Sequence, residues 1–167
     1  NGILFNHESP RRGETFVTRK ITLGLVKIKL GIQKKLVLGN INAKRDWGHA
    51  RDYVKAQWLI LQQKKPDDYV IATGKQYSVK HFINLVAKEL KMKIRWKGKD
   101  INEKAYDEND KPIIECSKKY YRPAEVDTLL GNPSKAKKLL KWKPKVTIEE
   151  LAKEMVQEDL KILSKDD

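Results

Sequence analysis

Apolar positions along the chain follow two periods. Short unbroken runs bounded by polar residues, Gly or Pro read as buried strands: Gly2-Ile3-Leu4-Phe5, Lys35-Leu36-Val37-Leu38-Gly39 and Tyr69-Val70-Ile71-Ala72. Between them the period changes to that of a helix. Phe16, Ile21, Leu25 and Ile28 recur at helical spacing, with Thr15 and Thr18 offering capping oxygens and Gly31 a stop. His49 or Ala50 opens a second helix with Tyr53, Val54, Gln57, Trp58 and Leu61 on one face, ending before Pro66. Ser78 caps a third, whose core face is Phe82, Leu85, Val86 and Leu90. Asn132-Pro133 gives an N-cap with Pro at the first helical position and predicts a helix through Leu140. Thr147-Ile148-Glu149-Glu150 has the spacing of a capping box and opens a last amphipathic helix carrying Leu151, Met155, Leu160 and Leu163. Ile94-Arg95-Trp96 and Pro112 to Cys116 read as further strands. Asn6 to Glu14 and Asn40 to Gly48 read as loops, and the charged stretch from Gly98 to Lys111 as a mobile loop or hairpin tip.

Strands alternate with helices up to about residue 74, and the first and third strands are uninterrupted apolar runs. The expectation is an α/β fold with a parallel sheet covered by helices, followed by a more mixed α+β second half. The chain opens on Asn1-Gly2-Ile3-Leu4-Phe5, without Met and without a signal-peptide pattern. That reads as a strand caught in mid-sequence, so a piece of a longer protein is expected.

Composition narrows the classes. The 167 residues hold 36 Lys+Arg against 22 Asp+Glu, a formal charge of +14, with 40% hydrophobic residues. This is a globular composition, and no apolar run reaches the roughly 18 residues of a membrane span. The single Cys116 allows no intramolecular disulfide and suits a reducing, cytoplasmic setting. The basic excess invites a nucleic-acid reading, but only seven of the 36 cations are Arg and the Lys residues are scattered. Scattered Lys reads as solvated surface rather than a binding stripe. No metal spacing joins His7, His49 and His81, and no Gly-rich phosphate loop or nucleophile elbow occurs.

Four polar clusters remain: Asn6 to Arg12, Val17 to Lys20, Arg45-Asp46-Trp47-Gly48 and Arg122-Pro123-Ala124-Glu125. Ligands of open α/β sheets bind beyond the carboxyl ends of the strands, and the first cluster follows the first strand directly. Cations converging there would suit a phosphate or pyrophosphate. Taken singly, each cluster also has an ordinary structural use, as a turn former or a surface arginine.

The run from Asn1 through Asn6-His7-Glu8-Ser9-Pro10-Arg11-Arg12-Gly13-Glu14-Thr15-Phe16-Val17-Thr18-Arg19-Lys20-Ile21-Thr22 closely resembles the GDP-mannose 4,6-dehydratase family. So do Leu38-Gly39-Asn40 with Arg45-Asp46-Trp47-Gly48-His49-Ala50, Tyr69 to Gly74 with Gln76-Tyr77-Ser78-Val79, and Tyr121-Arg122-Pro123-Ala124-Glu125-Val126 through Gly131. The Arg45 and Arg122 segments are shared more widely among extended short-chain dehydrogenase/reductases acting on nucleotide sugars. The resemblance implies an NADP-dependent lyase that converts GDP-mannose to GDP-4-dehydro-6-deoxy-D-mannose and water, in a cytoplasmic homo-oligomer (dimer or tetramer) serving GDP-fucose or GDP-rhamnose synthesis. It also implies that the catalytic groups lie upstream of residue 1. They are a Gly-rich NADP loop, a Tyr-x-x-x-Lys pair and a Thr/Ser with a Glu acid/base, so this chain alone is expected to be inert. By the same resemblance His7 and Arg12 are cofactor-binding. Asn6, Lys20, Arg45, Arg122 and Glu125 are substrate-binding, with Arg45 and Arg122 clamping the diphosphate and Val17 a weaker candidate for the guanine pocket.

The implied fold is the C-terminal part of a doubly wound NADP-binding sheet plus a smaller α+β substrate-binding lobe. Residues 1–13 and 49–75 are assigned to the Rossmann-like cofactor domain, and 14–48 and 76–167 to the GDP-sugar-binding lobe. The expected partner is GDP-mannose, with no membrane and no nucleic acid. Two alternatives stay open: another nucleotide-sugar dehydratase, epimerase or reductase, and a basic nucleic-acid-binding module. One departure from the family stands out: Leu140-Lys141-Trp142 occupies a turn where the family carries Leu-Gly-Trp. A Lys there either takes a left-handed conformation, at a cost of about 1 kcal/mol, or changes the turn.

Overall fold

The computed structural model describes residues 1–121 and 126–164. It is a mixed α/β structure in which short strands are tied together by five helices. Strand β1 (Gly2–Leu4) runs parallel to β6 (Tyr69–Ile71), with Ile3 opposite Val70. The first and third apolar runs are thus neighbours, as their patterns require. β1 is not buried on both faces, however, and Ile3 is 53% exposed. Among the described residues β6 is its only strand neighbour.

The stretch expected as a loop after Phe5 instead forms β2 (Asn6–Glu8), which pairs in parallel with β5 (Trp47–His49). The second expected loop likewise contains β4 (Lys44–Arg45) as well as β5, and β4 pairs antiparallel with β7 (Tyr77–Ser78). These two- and three-residue strands escape sequence reading because their pairing is long-range and their residues are polar. A mixed sheet in the order β3 (Leu36–Leu38), β10 (Pro112–Cys116), β9 (Lys104–Tyr106), β8 (Arg95–Lys97) forms a separate layer. Here the stretch from Gly98 to Lys111 is not simply a loop. It contributes the internal strand β9, whose Ala105 is fully buried, and only the turn near Asp107 to Lys111 fits the expectation.

Helix α1 (Val17–Lys29) has no side-chain cap, because Phe16 holds the N-cap position, while Thr18, inside the first turn, turns its hydroxyl to Glu8. Its end follows expectation. Gly31 (φ +76°) lets the Gly31 and Ile32 N–H groups donate to the Ile28 and Lys27 carbonyls, a Schellman closure. Helix α2 (Ala50–Leu61) differs from its predicted orientation. Tyr53 and Ala56 face inward, while Val54, Trp58 and Leu61 stand 61%, 52% and 80% exposed. The three are spaced as a helical stripe, but the inward face is chosen by Asp52 and Tyr53, which have buried partners. α3 (Val79–Glu89) is capped by Ser78, which accepts from His81 N–H at 3.0 Å. α4 (Ser134–Leu139) starts one residue later than expected, after Pro133, with Asn132 Oδ1 accepting from Ser134 N–H. The capping box of α5 (Ile148–Leu163) forms as predicted: Glu150 N–H donates to Thr147 Oγ1, and Thr147 N–H donates to Glu150 Oε2.

The apolar interior falls into two clusters. The larger joins α1, α3 and α5 to the mixed sheet through Ile21, Leu25, Phe82, Ile83, Ile114, Leu151 and Met155. The smaller joins β6, α2 and α4 through Tyr53, Ala56, Ile71, Leu140 and Trp142, with Leu4 and Phe5 packed against it. The larger contains an unexpected charge pair. Arg19 on α1 and Asp159 on α5 form an ion pair with both side chains buried. Removing either partner strands a charge in the interior, at a cost of about 3–5 kcal/mol. In urea denaturation, Arg19→Met or Asp159→Leu alone is expected to lose that much. The double substitution should recover most of it, and a double variant as unstable as the singles would contradict the pairing.

Candidate functional site

Beyond the carboxyl ends of β1 and β3 the chain forms a cleft of about 530 Å³. Its wall includes Asn6, Val17, Lys20 and Arg45, four candidates from three separate segments, together with Phe16, Gly39 and Tyr120. Asn6 arrives on β2, Lys20 on the first turns of α1 and Arg45 on β4. Lys20 Nζ sits 4.0 Å from the centroid of the Tyr120 ring. Arg45 Nη1 donates to the Lys44 carbonyl at 2.9 Å. Gly39 matters by its size: a Cβ there would run into the Tyr120 carbonyl, so Gly lets the 118–120 turn close one side of the cleft.

His7 and Arg12 do not line this cleft. They stand beside it, His7 in the middle of β2 and Arg12 in the turn after it. His7 Nδ1–H donates to the Phe5 carbonyl at 2.8 Å and the ring stacks on Tyr53 at 5.2 Å, which leaves Nε2 as its outward nitrogen. Arg12 Nε lies 3.2 Å from Glu8 Oε2, and its guanidinium rests 3.5 Å above the Phe16 ring. Arg122 and Glu125 lie outside the described residues. Before them, Lys119 and Tyr120 line the cleft; after them, Asp127 O accepts from Lys44 N–H and Leu129 N–H donates to Lys44 O.

Two carboxylates hold this arrangement and were not singled out from the sequence. Asp46, fully buried, receives four hydrogen bonds. Oδ1 accepts from Thr73 N–H (2.9 Å) and Thr73 Oγ1–H (2.6 Å), and Oδ2 accepts from Gly74 N–H (3.0 Å) and Gly131 N–H (3.2 Å). It therefore ties the strand carrying Arg45 to the end of β6 and to the segment before α4. The quoted Arg45-Asp46-Trp47-Gly48 motif contained it, and its aspartate between two apolar elements was the available signal. Glu8 is 2% exposed, accepts from Thr18 Oγ1–H at 2.5 Å and pairs with Arg12. Burial pushes its carboxyl pKa up, more than the Thr18 bond and Arg12 pull it down. Tyr53, buried beside Asp46 and Glu8, has its phenol pKa driven upward first by burial and then by those carboxylates.

Among the described residues no group of three or more His, Cys, Asp or Glu side chains is arranged to hold a metal ion. No described helix is long and apolar enough to cross a membrane.

By fold, the chain corresponds to about half of a Rossmann-type short-chain dehydrogenase/reductase. It is similar to the structure of RMD from Pseudomonas aeruginosa complexed with NADPH, with a TM-score of 0.78 at 20% identity, over 96% of this chain and 48% of that one. Residues 1–155 match the family model for GDP-mannose 4,6 dehydratase, and the chain belongs to that family. It is 56% identical to GDP-mannose 4,6 dehydratase 2 of Caenorhabditis elegans over 99% of its length and 44% of the relative's. It is also 56% identical to the Dictyostelium discoideum GDP-mannose 4,6 dehydratase over 100% of its length and 47% of the relative's. The chain thus spans a little under half the length of these relatives.

Two outcomes follow from the buried carboxylates. Asp46→Ala leaves several donors unpaired, and a loss of about 3–5 kcal/mol is expected in urea unfolding. For Glu8 the folded pKa is raised, so its contribution is fully present below the unfolded value near 4.5 and is lost as pH rises through the folded pKa. Glu8→Gln should therefore gain on the parent chain as pH rises across that window. A stability difference that stays flat from pH 4 to 8 would show that Glu8 titrates as an ordinary carboxylate.

Proposed function

We propose that this chain supplies the nucleotide-sugar-binding part of a GDP-mannose 4,6-dehydratase, and that the cleft of Asn6, Lys20 and Arg45 takes the GDP moiety of GDP-mannose. The observation that carries this is the convergence of those three side chains, from positions 6, 20 and 45, on one cavity. A diphosphate carries about two negative charges, and a guanidinium and an ammonium lining one cleft match it in sign. Tyr120 and Val17 offer the apolar surface a purine needs. Arg122 is proposed as the second diphosphate cation and Glu125 as an acceptor for the ribose or an adjacent group. The anchoring of the flanking residues to Lys44 and around the cleft favours this.

The reaction proposed is loss of water from GDP-mannose to give GDP-4-dehydro-6-deoxy-D-mannose, which would supply activated deoxysugars such as GDP-fucose or GDP-rhamnose. C4 is oxidised, the C5 proton becomes acidic beside the C4 ketone, water leaves across C5 and C6, and hydride returns to C6. NADP, when bound, supplies the acceptor and donor of that hydride. This chain's residues hold and orient. Arg45 and Lys20 fix the diphosphate, and Asn6 offers an amide hydrogen bond near the sugar. Arg12 and His7 are proposed as the cofactor contacts. Glu8 meets Arg12 through Nε, so the terminal guanidinium nitrogens are the ones suited to a phosphate oxygen. We assign 1–13 and 49–75 to the cofactor domain and 14–48 and 76–167 to the substrate lobe. The assembly is proposed to be a cytoplasmic homo-oligomer, for which the lone, unpaired Cys116 suits a reducing compartment.

Titration calorimetry with GDP and with GDP-mannose tests the reading. Arg45→Ala should weaken both by about 1.5–3 kcal/mol, roughly ten- to a hundred-fold in Kd, because a charged donor to phosphate is lost. Affinity unchanged in Arg45→Ala and Lys20→Ala would reject the site. Binding that collapses with salt and prefers an oligonucleotide to GDP would favour the nucleic-acid alternative.

A further inference from the structure

A second cavity, of about 740 Å³, lies between the end of β6 and the segment joining α4 to α5. It shares no lining residue with the Asn6–Arg45 cleft; Trp47 lines it, whereas Arg45, two residues earlier, lines the other. Five lysines stand on its wall, Lys75, Lys137, Lys141, Lys143 and Lys145, against the single carboxylate of Glu149. Some lysines elsewhere are matched (Lys35 and Lys104 share Glu115, Lys97 meets Asp110 and Lys135 meets Asp67), while others among the described residues stand singly on the surface. What sets these five apart is that they line one cavity. None of the five has a carboxylate within ion-pair distance among the described residues.

The wall is held in place from behind. Trp142 is 3% exposed and its Nε1–H donates to the Asp52 carbonyl at 2.9 Å. Lys145 and Val146 N–H both donate to Asp52 Oδ2, at 2.8 and 3.0 Å. Between the buried Leu140 and Trp142, Lys141 sits at φ +53°. The left-handed conformation is disfavoured for a lysine by about 1 kcal/mol. The chain thus bears local strain at the one turn position that adds a fifth cation to the cavity. Strain of that kind persists where the surroundings over-determine it, and it collects at ligand sites.

We propose that this cavity is a second anion site, built for the oligophosphate chain of a small molecule. Five converging cations exceed what one carboxylate or one phosphate needs. A volume within the roughly 300–1,000 Å³ of small-molecule pockets favours a compact ligand over an extended polymer. Phosphate oxygens would meet the ammonium groups of Lys137, Lys141, Lys143 and Lys145.

Sodium tripolyphosphate is the probe, titrated calorimetrically into the 167-residue chain with and without saturating GDP. With GDP filling the Asn6–Arg45 cleft one site is expected. Without GDP that cleft can take the probe as well, and the site that persists under saturating GDP is the lysine cavity, because the two share no residues. Lys137→Gln/Lys143→Gln/Lys145→Gln should raise Kd at least ten-fold and flatten its salt dependence. Lys88→Gln/Lys91→Gln/Lys93→Gln, which removes the same charge at the far end of α3, should leave Kd within two-fold. Lys141→Gly should weaken binding about three-fold or more while raising the melting temperature, which separates lost affinity from lost folding. Absence of binding, loss of the site when GDP is present, or equal weakening by both triple variants would overturn the proposal. So would tighter binding of a single-stranded oligonucleotide through the same lysines. Arg45→Ala is expected to leave tripolyphosphate binding at the lysine cavity intact, so failure of the GDP cleft and failure of this site read differently.

Discussion

The structure turns on one buried carboxylate. Asp46 takes two donors from Thr73 and one each from Gly74 and Gly131, joining three stretches of chain at one point. A fully buried carboxylate is tolerated only when its oxygens are satisfied, and four donors meet that condition. The consequence is positional. The residue before Asp46 faces one cavity and the residue after it faces another, so the same anchor fixes Arg45 in the cleft it shares with Asn6 and Lys20 and Trp47 in the lysine-lined one. Because Asp46 cannot rotate without stranding those donors, neither neighbour is free to shift far.

Around that anchor the molecule separates its charges by use. Buried ions are paired across elements, as Arg19 and Asp159 are between α1 and α5, and Glu8 with Arg12 at the end of β2. Some surface lysines find carboxylates, as Lys35 and Lys104 do on Glu115. Other cations line the two cavities, Lys20 and Arg45 one of them and five lysines the other. A formal charge of +14 therefore does not act as one diffuse field. Part of it is neutralised locally, and part lines the two cavities.

Much of this was legible in the amino-acid order. The apolar runs of β1 and β6, the Gly31 stop, the Ser78 cap and the capping box at Thr147 each rest on local physics, and each forms where the pattern puts it. The convergence of Asn6, Lys20 and Arg45 followed from motif resemblance, not from spacing. What stayed hidden depended on distant partners. β2, β4 and β5 are short and polar or mixed, and only a strand far away in sequence makes them strands, whereas β9 was hidden by its charged surroundings although it pairs with its neighbours β8 and β10. The inward face of α2 is set by Asp52 and Tyr53, although Val54, Trp58 and Leu61 present the cleaner apolar stripe. Thr18 looked like a cap and serves Glu8 instead.

The most direct test is a crystal structure of the chain grown with GDP. The account predicts the diphosphate between Arg45 and Lys20, within hydrogen-bonding distance of both, with the base toward Val17 and Tyr120. A nucleotide bound with its phosphates away from Arg45 and Lys20, or lodged only among the lysines near Trp142, would contradict it.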